Sequence, residues 1–334
     1  MTPTDDARPE GTALPDGTPK RSRAKLLRTG LMVVALVLCV VFLIPRADDI
    51  VTAVGQQSAL SIVGALLLGF AGIYATFLSW RELMKGAGHR LPWAASQRVF
   101  FLSQIGKYIP GSIWPIVAQA DLGRAHKVPP TRSVAVGLLT LLISCGAGIC
   151  MAAATLPFVT PDALADYWFV LILVPIVLLP LYPPILRSLM RLASKVARRD
   201  LADLSLRGRN TVAAWLWAAV AWVLFGGQIA VLLTPLKTLS PSTVLLSIGA
   251  YALAWLVGFL VFFLPAGLGG REAVLTALLV VGGAATSGQG VSIALMSRVL
   301  LTVGDLVLAG SAILNHRLRE GRGAEATTPE SLRS

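Results

Sequence analysis

The chain of 334 residues is too apolar and too poor in charge for a soluble protein. AVILMFWYC residues make up 55% of it and DEKR residues 14%, against about 25% charged residues in soluble domains. The mean hydropathy is +0.73. Charge-free runs such as 50–80, 133–161 and 210–236 exceed the ~20 apolar residues that cross a bilayer. The sequence indicates an all-α, polytopic integral membrane protein and excludes a soluble enzyme, a disordered protein and a nucleic-acid-binding module.

The net charge has an ordinary explanation in such a protein. The 29 Lys and Arg residues outnumber the 17 Asp and Glu residues, which gives +12. Cytoplasmic loops of membrane proteins collect Lys and Arg, so we expect no nucleic-acid partner. The three cysteines lie in apolar runs and the three histidines are scattered along the chain. We therefore expect no disulfide framework, no metal site and no cofactor.

The chain order predicts a membrane domain over residues 26–317 between two disordered cytoplasmic tails, 1–25 and 318–334. A basic cluster precedes the first apolar run, and a small-x-small cleavage pattern is missing after it, so we expect a retained helix rather than a signal peptide. Charge placement predicts eight spans in a cell membrane, with both termini cytoplasmic. These spans are Leu31–Pro45, Ser58–Trp80, Ser133–Phe158, Tyr167–Ile185, Thr211–Leu233, Thr243–Leu264, Arg271–Ala285 and Val291–Leu314.

Residues 96–124 do not fit a simple span, because two short apolar pieces are separated by the sequence GKYIPGS. Both flanks are expected on the cytoplasmic side, and each piece is too short to cross the bilayer. The pattern therefore predicts a re-entrant helix pair, or an interfacial helix followed by a loop.

The GKYIPGS sequence is the first candidate site. Pro110 and Gly111 break the helix, and Ser112 is expected to cap a new helix that begins at Ile113. Free backbone N–H groups and the positive end of the helix dipole would favour an anion there, beside Lys107. The alternative is a surface break with Lys107 reaching to water.

A second break, at residues 264–272, has the sequence LPAGLGGRE and precedes a short helix. Arg271 is a fork-shaped donor that suits phosphate or carboxylate, and Glu272 complements the dipole of the helix it opens. The alternative is a tight cytoplasmic turn. Two interrupted apolar segments in separate halves of a chain are typical of a transporter binding site.

Arg298 and Asp305 lie inside the last apolar run. Charges within a span are costly and usually face a cavity or a partner. Seven residues apart, they share a helix face but lie roughly 10 Å apart along the axis, too far for a direct pair. We expect Asp305 to face Arg271 instead. Structural hydrogen bonding of each charge is the alternative.

These residues also carry a family resemblance. GKYIPGSIWPIVAQADLGR (106–124) and PAGLGGREAVLTALL (265–279) resemble the lysylphosphatidylglycerol synthase transmembrane-region family, in which the last span also carries a basic residue like Arg298. The resemblance covers the membrane portion only. It implies an eight-helix, flippase-like domain that moves aminoacylated or lipid-linked molecules between leaflets, and it does not imply the soluble synthase activity of two-domain relatives.

We therefore expect a non-enzymatic lipid flippase that carries an anionic, aminoacylated or isoprenoid-linked lipid through a cationic cavity. Its partners would be a membrane phospholipid or lipid-linked substrate and, as an alternative role, a separately encoded lipid-modifying synthase that it assists without catalysis. A second alternative is an integral-membrane transferase acting on lipid-linked sugars, with Glu272 or Asp121 as its catalytic carboxylate. The substrate-binding residues expected are Lys107, Tyr108, Pro110, Gly111, Ser112, Gln119, Gly269, Arg271, Glu272, Arg298 and Asp305.

Overall fold

The computed structural model describes Gly55 and residues 57–109, 113–159, 208–260 and 269–326, with side chains to residue 315. The first and fourth expected spans, the expected N-terminal tail, residues 327–334 of the expected C-terminal tail, and residues 110–112 and 261–268 at the two breaks lie outside this set. Residues 318–326 of the expected C-terminal tail are helical. The described residues form eight α-helices: α1 (Ala59–Gly86), α2 (Trp93–Gln104), α3 (Trp114–Arg124), α4 (Pro130–Thr155), α5 (Gly208–Leu232), α6 (Pro241–Leu260), α7 (Gly270–Val281) and α8 (Ser287–Ala326).

Five of the eight helices are long and apolar enough to cross a membrane: α1, α4 with its 3-10 extension to Phe158, α5, α6, and α8 as far as Asn315. They match the second, third, fifth, sixth and eighth spans expected from the sequence, so the polytopic helical fold class is confirmed. Helix α7, expected to be the seventh span, has 12 residues. At about 18 Å it is shorter than the ~30 Å hydrocarbon core.

Helices α2 and α3 form the re-entrant pair predicted from the sequence. A 3-10 turn, Ile105–Tyr108, ends α2, and the chain then returns along α3. The two outer ends of the pair lie together, because Arg132 at the start of α4 donates to the Ala87 carbonyl ahead of α2 at 3.0 Å. Gly106 allows the close approach at the tip, where a Cβ would lie 3.0 Å from the Pro115 nitrogen.

Side-chain contacts show how the long helices are arranged. Asn210 donates to Glu82 at 2.8 Å, so α5 begins where α1 ends, and we call this side of the bundle the basic end. Ser61 and Thr234 hydrogen bond at 3.2 Å on the opposite end. Helix α7 runs antiparallel to α6 and finishes at that opposite end, where Lys237 donates to the Gly283 carbonyl at 2.9 Å.

The core contains an aromatic cluster between α1 and the re-entrant pair, with Phe77 packed against Phe100 and Phe101. Trp80 belongs to this cluster and is 0% exposed. Although Trp80 lies at the end of an expected span, where tryptophans usually form the aromatic belt at the membrane surface, it is part of the buried core. Its indole N–H donates to the Gln119 side chain at 3.1 Å, which satisfies the polar end of a buried tryptophan.

Candidate functional site

A cavity of about 250 Å³, with charged and polar groups set in a largely apolar wall, lies inside the helix bundle, and we call it the central cavity. All eight described helices contribute residues to its wall, and so does the 3-10 turn that follows α2. Its charged and hydrogen-bonding lining residues are Thr76, Gln104, Lys107, Tyr108, Gln119, Thr140, Ser144, Tyr251, Arg271, Arg298, Thr302 and Asp305. A buried space with this many polar groups among membrane-spanning helices is a candidate passage or binding site.

Asp305 holds the tip of the re-entrant pair against α8. Its carboxylate forms an ion pair with Lys107 at 2.5 Å and accepts a hydrogen bond from the Tyr108 hydroxyl at 2.7 Å. The aspartate side chain is 1% exposed and that of Lys107 is 35% exposed. The lysine is therefore the solvent-accessible partner of the pair. Asp305 Oδ1 has no hydrogen-bond partner among the described residues, which leaves one acceptor available.

The expected pairing of Asp305 with Arg271 is therefore wrong, although both line the central cavity. Arg271 donates instead to the Tyr251 hydroxyl at 2.6 Å, and its guanidinium carbon lies 4.6 Å from the centre of the same ring. Gly258 allows this approach, since a Cβ there would lie 2.8 Å from the Arg271 Cβ. Asp305 is paired with Lys107 and Tyr108 of the re-entrant tip instead. Spacing along the sequence does not reveal this contact.

Glu272 and Arg298 form a second, more deeply buried ion pair, with side chains only 9% and 7% exposed. The other carboxylate oxygen of Glu272 accepts the Gly269 backbone N–H at 2.7 Å, so Glu272 also caps the start of α7. Gly269 has φ +86, a conformation that favours glycine. The first-turn position expected for Glu272 is confirmed.

These charges lie within the thickness of the bundle. Helix α8 begins at Ser287 on the opposite end, and at 1.5 Å per residue Arg298 lies about 16 Å and Asp305 about 27 Å along its axis. The two ion pairs therefore tie α8 to α7 at one depth and to the re-entrant tip at another. Both contacts lie deeper than a surface turn would, which favours the broken-helix interpretation of the two motifs.

Of the four remaining predicted site residues, Gln119 belongs to the described part of the chain. Gln119 lines the cavity, and its side-chain oxygen is occupied by Trp80. The N-cap of α3 is Ile113 rather than Ser112. This later start puts Pro115 in the first turn, where its missing N–H costs nothing. Pro110, Gly111 and Ser112 lie outside the described residues.

One wall of the cavity is aromatic, and the sequence patterns did not predict it. Trp222 and Phe225 of α5 face Tyr251 of α6 at centroid distances of 6.1 and 5.3 Å. Trp255 and Phe259, one turn apart on α6, stack at 5.6 Å. All five line the cavity. Their spacing at three or four residues was visible in the sequence, but aromatic residues in an apolar run do not distinguish a cavity wall from a packed core.

The fold and the site define a polytopic helical membrane protein with a charged cavity between its helices. The chain matches the family model described as the lysylphosphatidylglycerol synthase TM region over residues 27–309, and it belongs to that family. This membership assigns the protein a membrane-lipid-related function. A search of curated proteins found none that matches the chain.

Proposed function

We propose that this protein translocates an anionic phospholipid or lipid-linked phosphate between leaflets, with the headgroup passing through the central cavity. The carrying observation is the charge arrangement: three cations of the cavity wall, Lys107, Arg271 and Arg298, stand against Asp305 of the wall and against Glu272, which pairs with Arg298 without lining the cavity itself. One positive charge is left over. A phosphodiester headgroup carries one negative charge, so it would neutralise the cavity.

Arg271 is the cation best suited to hold that phosphate. Within the described part of the chain its side chain meets a tyrosine hydroxyl and ring rather than a carboxylate. A guanidinium offers two parallel donors that match two phosphate oxygens. Lys107 is a second contact, because it is partly exposed and already drawn to the cavity by Asp305. An ammonium on the headgroup would find the available Oδ1 of Asp305.

The cavity size supports a headgroup carrier. Ligand pockets that hold whole drug-sized molecules usually have volumes of about 300–1,000 Å³, and the central cavity has about 250 Å³. It therefore suits a polar headgroup whose acyl or isoprenoid chains stay in the bilayer. The aromatic wall offers flat apolar surface beside the charged groups, which suits a molecule that is polar at one end only.

The transferase alternative requires a carboxylate that is available to a substrate. Glu272 is engaged on both oxygens, by Arg298 and the Gly269 N–H, and Asp121 lies outside the wall of the central cavity. The assisting role beside a synthase has no specific contact in its favour. Translocation is therefore the function that the geometry supports best.

The experiment is a translocation assay with fluorescent phosphatidylglycerol in proteoliposomes. Arg271→Gln should lower the rate about tenfold or more, because a charge-assisted hydrogen bond to phosphate contributes about 1.5–3 kcal/mol. Lys237→Gln is the matched control, since Lys237 is an exposed cation in the loop at the opposite end. Wild-type rates from a correctly folded Arg271→Gln protein would contradict the proposal.

A further inference from the structure

A second cavity lies at the basic end of the bundle, with a volume of about 710 Å³, and we call it the basic-end cavity. Its walls are the end of α1, the loop between α1 and α2, Ser96 in the first turn of α2, and the first turns of α5. It shares no lining residue with the central cavity. This cavity has no role in the proposed translocation.

The basic-end cavity is strongly cationic. Arg81, Lys85, Arg90 and Arg209 line it, and Glu82 is the single carboxylate that the described part of the chain places on its wall. Glu82 is already neutralised, because it pairs with Lys85 at 2.5 Å and accepts from Asn210 at 2.8 Å. Among the described residues the cavity wall therefore carries three more cations than carboxylates, and an anion is the ligand that this excess favours.

Two buried polar atoms at this cavity also lack a partner. Arg81 Nε and His89 Nε2 have no hydrogen-bond partner among the described residues. The Arg81 guanidinium is held in place, with its central carbon 4.2 Å from the centre of the Trp93 ring. Buried polar groups are almost always paired with protein, water or ligand, so these atoms mark the position where a bound group would accept hydrogen bonds.

The surroundings indicate where the anion comes from. Trp217 lines the cavity and is 37% exposed, and Trp93, which packs on Arg81, is 40% exposed. Tryptophans with one exposed edge are typical of the level of the lipid headgroups. Arginine clusters between helices at that level bind the phosphates of anionic lipids. We infer that the basic-end cavity binds the phosphate of an anionic phospholipid at a site separate from the central cavity.

The test measures lipid affinity on the full chain in detergent by native mass spectrometry, titrating dioleoyl-phosphatidylglycerol. Arg90→Gln/Arg209→Gln removes two exposed arginines from the cavity, and we expect the Kd to rise at least about tenfold. The control is Arg124→Gln/Lys127→Gln, which removes the same charge from the same end outside the cavity, and we expect a change below about twofold.

Further arms of the titration identify the ligand and the site. Phosphatidylcholine should bind more weakly, and inorganic phosphate alone should not displace the anionic lipid. In an Arg271→Gln background, which weakens any lipid binding at the central cavity, Arg90→Gln/Arg209→Gln should still raise the Kd at least about tenfold, so the result is independent of the translocation proposal. Three results would each overturn the inference: an equal rise of the Kd in both double variants, an affinity for phosphatidylcholine as high as that for phosphatidylglycerol, or displacement of the anionic lipid by inorganic phosphate. If the double variant does not fold, Arg209→Gln alone, at an exposed position, is measured against Arg124→Gln.

Discussion

Breaking the Glu272–Arg298 pair should destabilise the protein more than any surface charge change. Both side chains are more than nine-tenths buried, so Glu272→Gln leaves Arg298 buried without this carboxylate. Removing one partner of a buried pair costs about 3–5 kcal/mol. Glutamine retains an oxygen that can accept the Gly269 N–H, so the loss reports the charge rather than the helix cap.

The measurement is a double-mutant cycle of unfolding free energies, from reversible unfolding in mixed micelles titrated with dodecyl sulfate. We expect Glu272→Gln and Arg298→Met each to lose about 3–5 kcal/mol, and the double variant to lose clearly less than their sum. The reference pair is Glu82–Lys85, whose side chains are 20% and 30% exposed and whose coupling should be about 0.2–1 kcal/mol.

A coupling energy for Glu272–Arg298 no larger than that of the reference pair would refute this reasoning. It would mean that water reaches both charges and that the pair contributes as a surface pair does. The double variant also separates structure from function. If it regains stability and still fails to translocate lipid, the two charges are needed for transport itself.

Three further predictions concern the backbone and pH. Gly258→Ala should cost about 1–3 kcal/mol, because the new Cβ lies 2.8 Å from an arginine Cβ, whereas Gly64→Ala, at 3.6 Å from its nearest neighbour, should be neutral in the same unfolding assay. Gly269→Ala should cost about 1–2 kcal/mol from its φ of +86 alone, since nothing lies within 4 Å of the added carbon. Burial and the charge of Arg132 lower the pKa of His89, so the unfolded state binds more protons below about pH 6.5 and the melting temperature should fall there, less so in His89→Gln.

The sequence predicted the long helices well because their signal is direct. Residues 210–236 carry no charge, and so long an apolar run is stable only when it is buried in lipid. Helix α5 occupies most of this run. The length of α7 was harder to predict. Residues 282–285 are apolar, so hydropathy alone predicts that the helix continues through them. Helix α7 ends before them because Gly283 adopts φ +62, a local conformation that hydropathy does not record.

The charged residues of the site were also predictable, and their partners were not. A charge such as Arg298 or Asp305 in an apolar run needs compensation, so its presence alone marks a site. Which carboxylate meets which cation depends on how distant helices pack. Lys107 of the re-entrant tip pairs with Asp305, and Arg271 donates a hydrogen bond to Tyr251 instead. No spacing within a single helix encodes that choice.

The half-length elements make the protein sensitive to the thickness of its membrane. The outer ends of the re-entrant pair lie at the basic end, and α7 begins part-way along the bundle and finishes at the opposite end, so neither element crosses the whole bundle. Long spans adapt to a thicker hydrocarbon layer by tilting less, at a cost of fractions of a kcal/mol per Å, whereas a half-helix that carries Lys107 at its tip has no spare length to adjust. We expect hydrophobic mismatch to act first on the two short elements, and acyl-chain length to set how readily the passage between them hydrates.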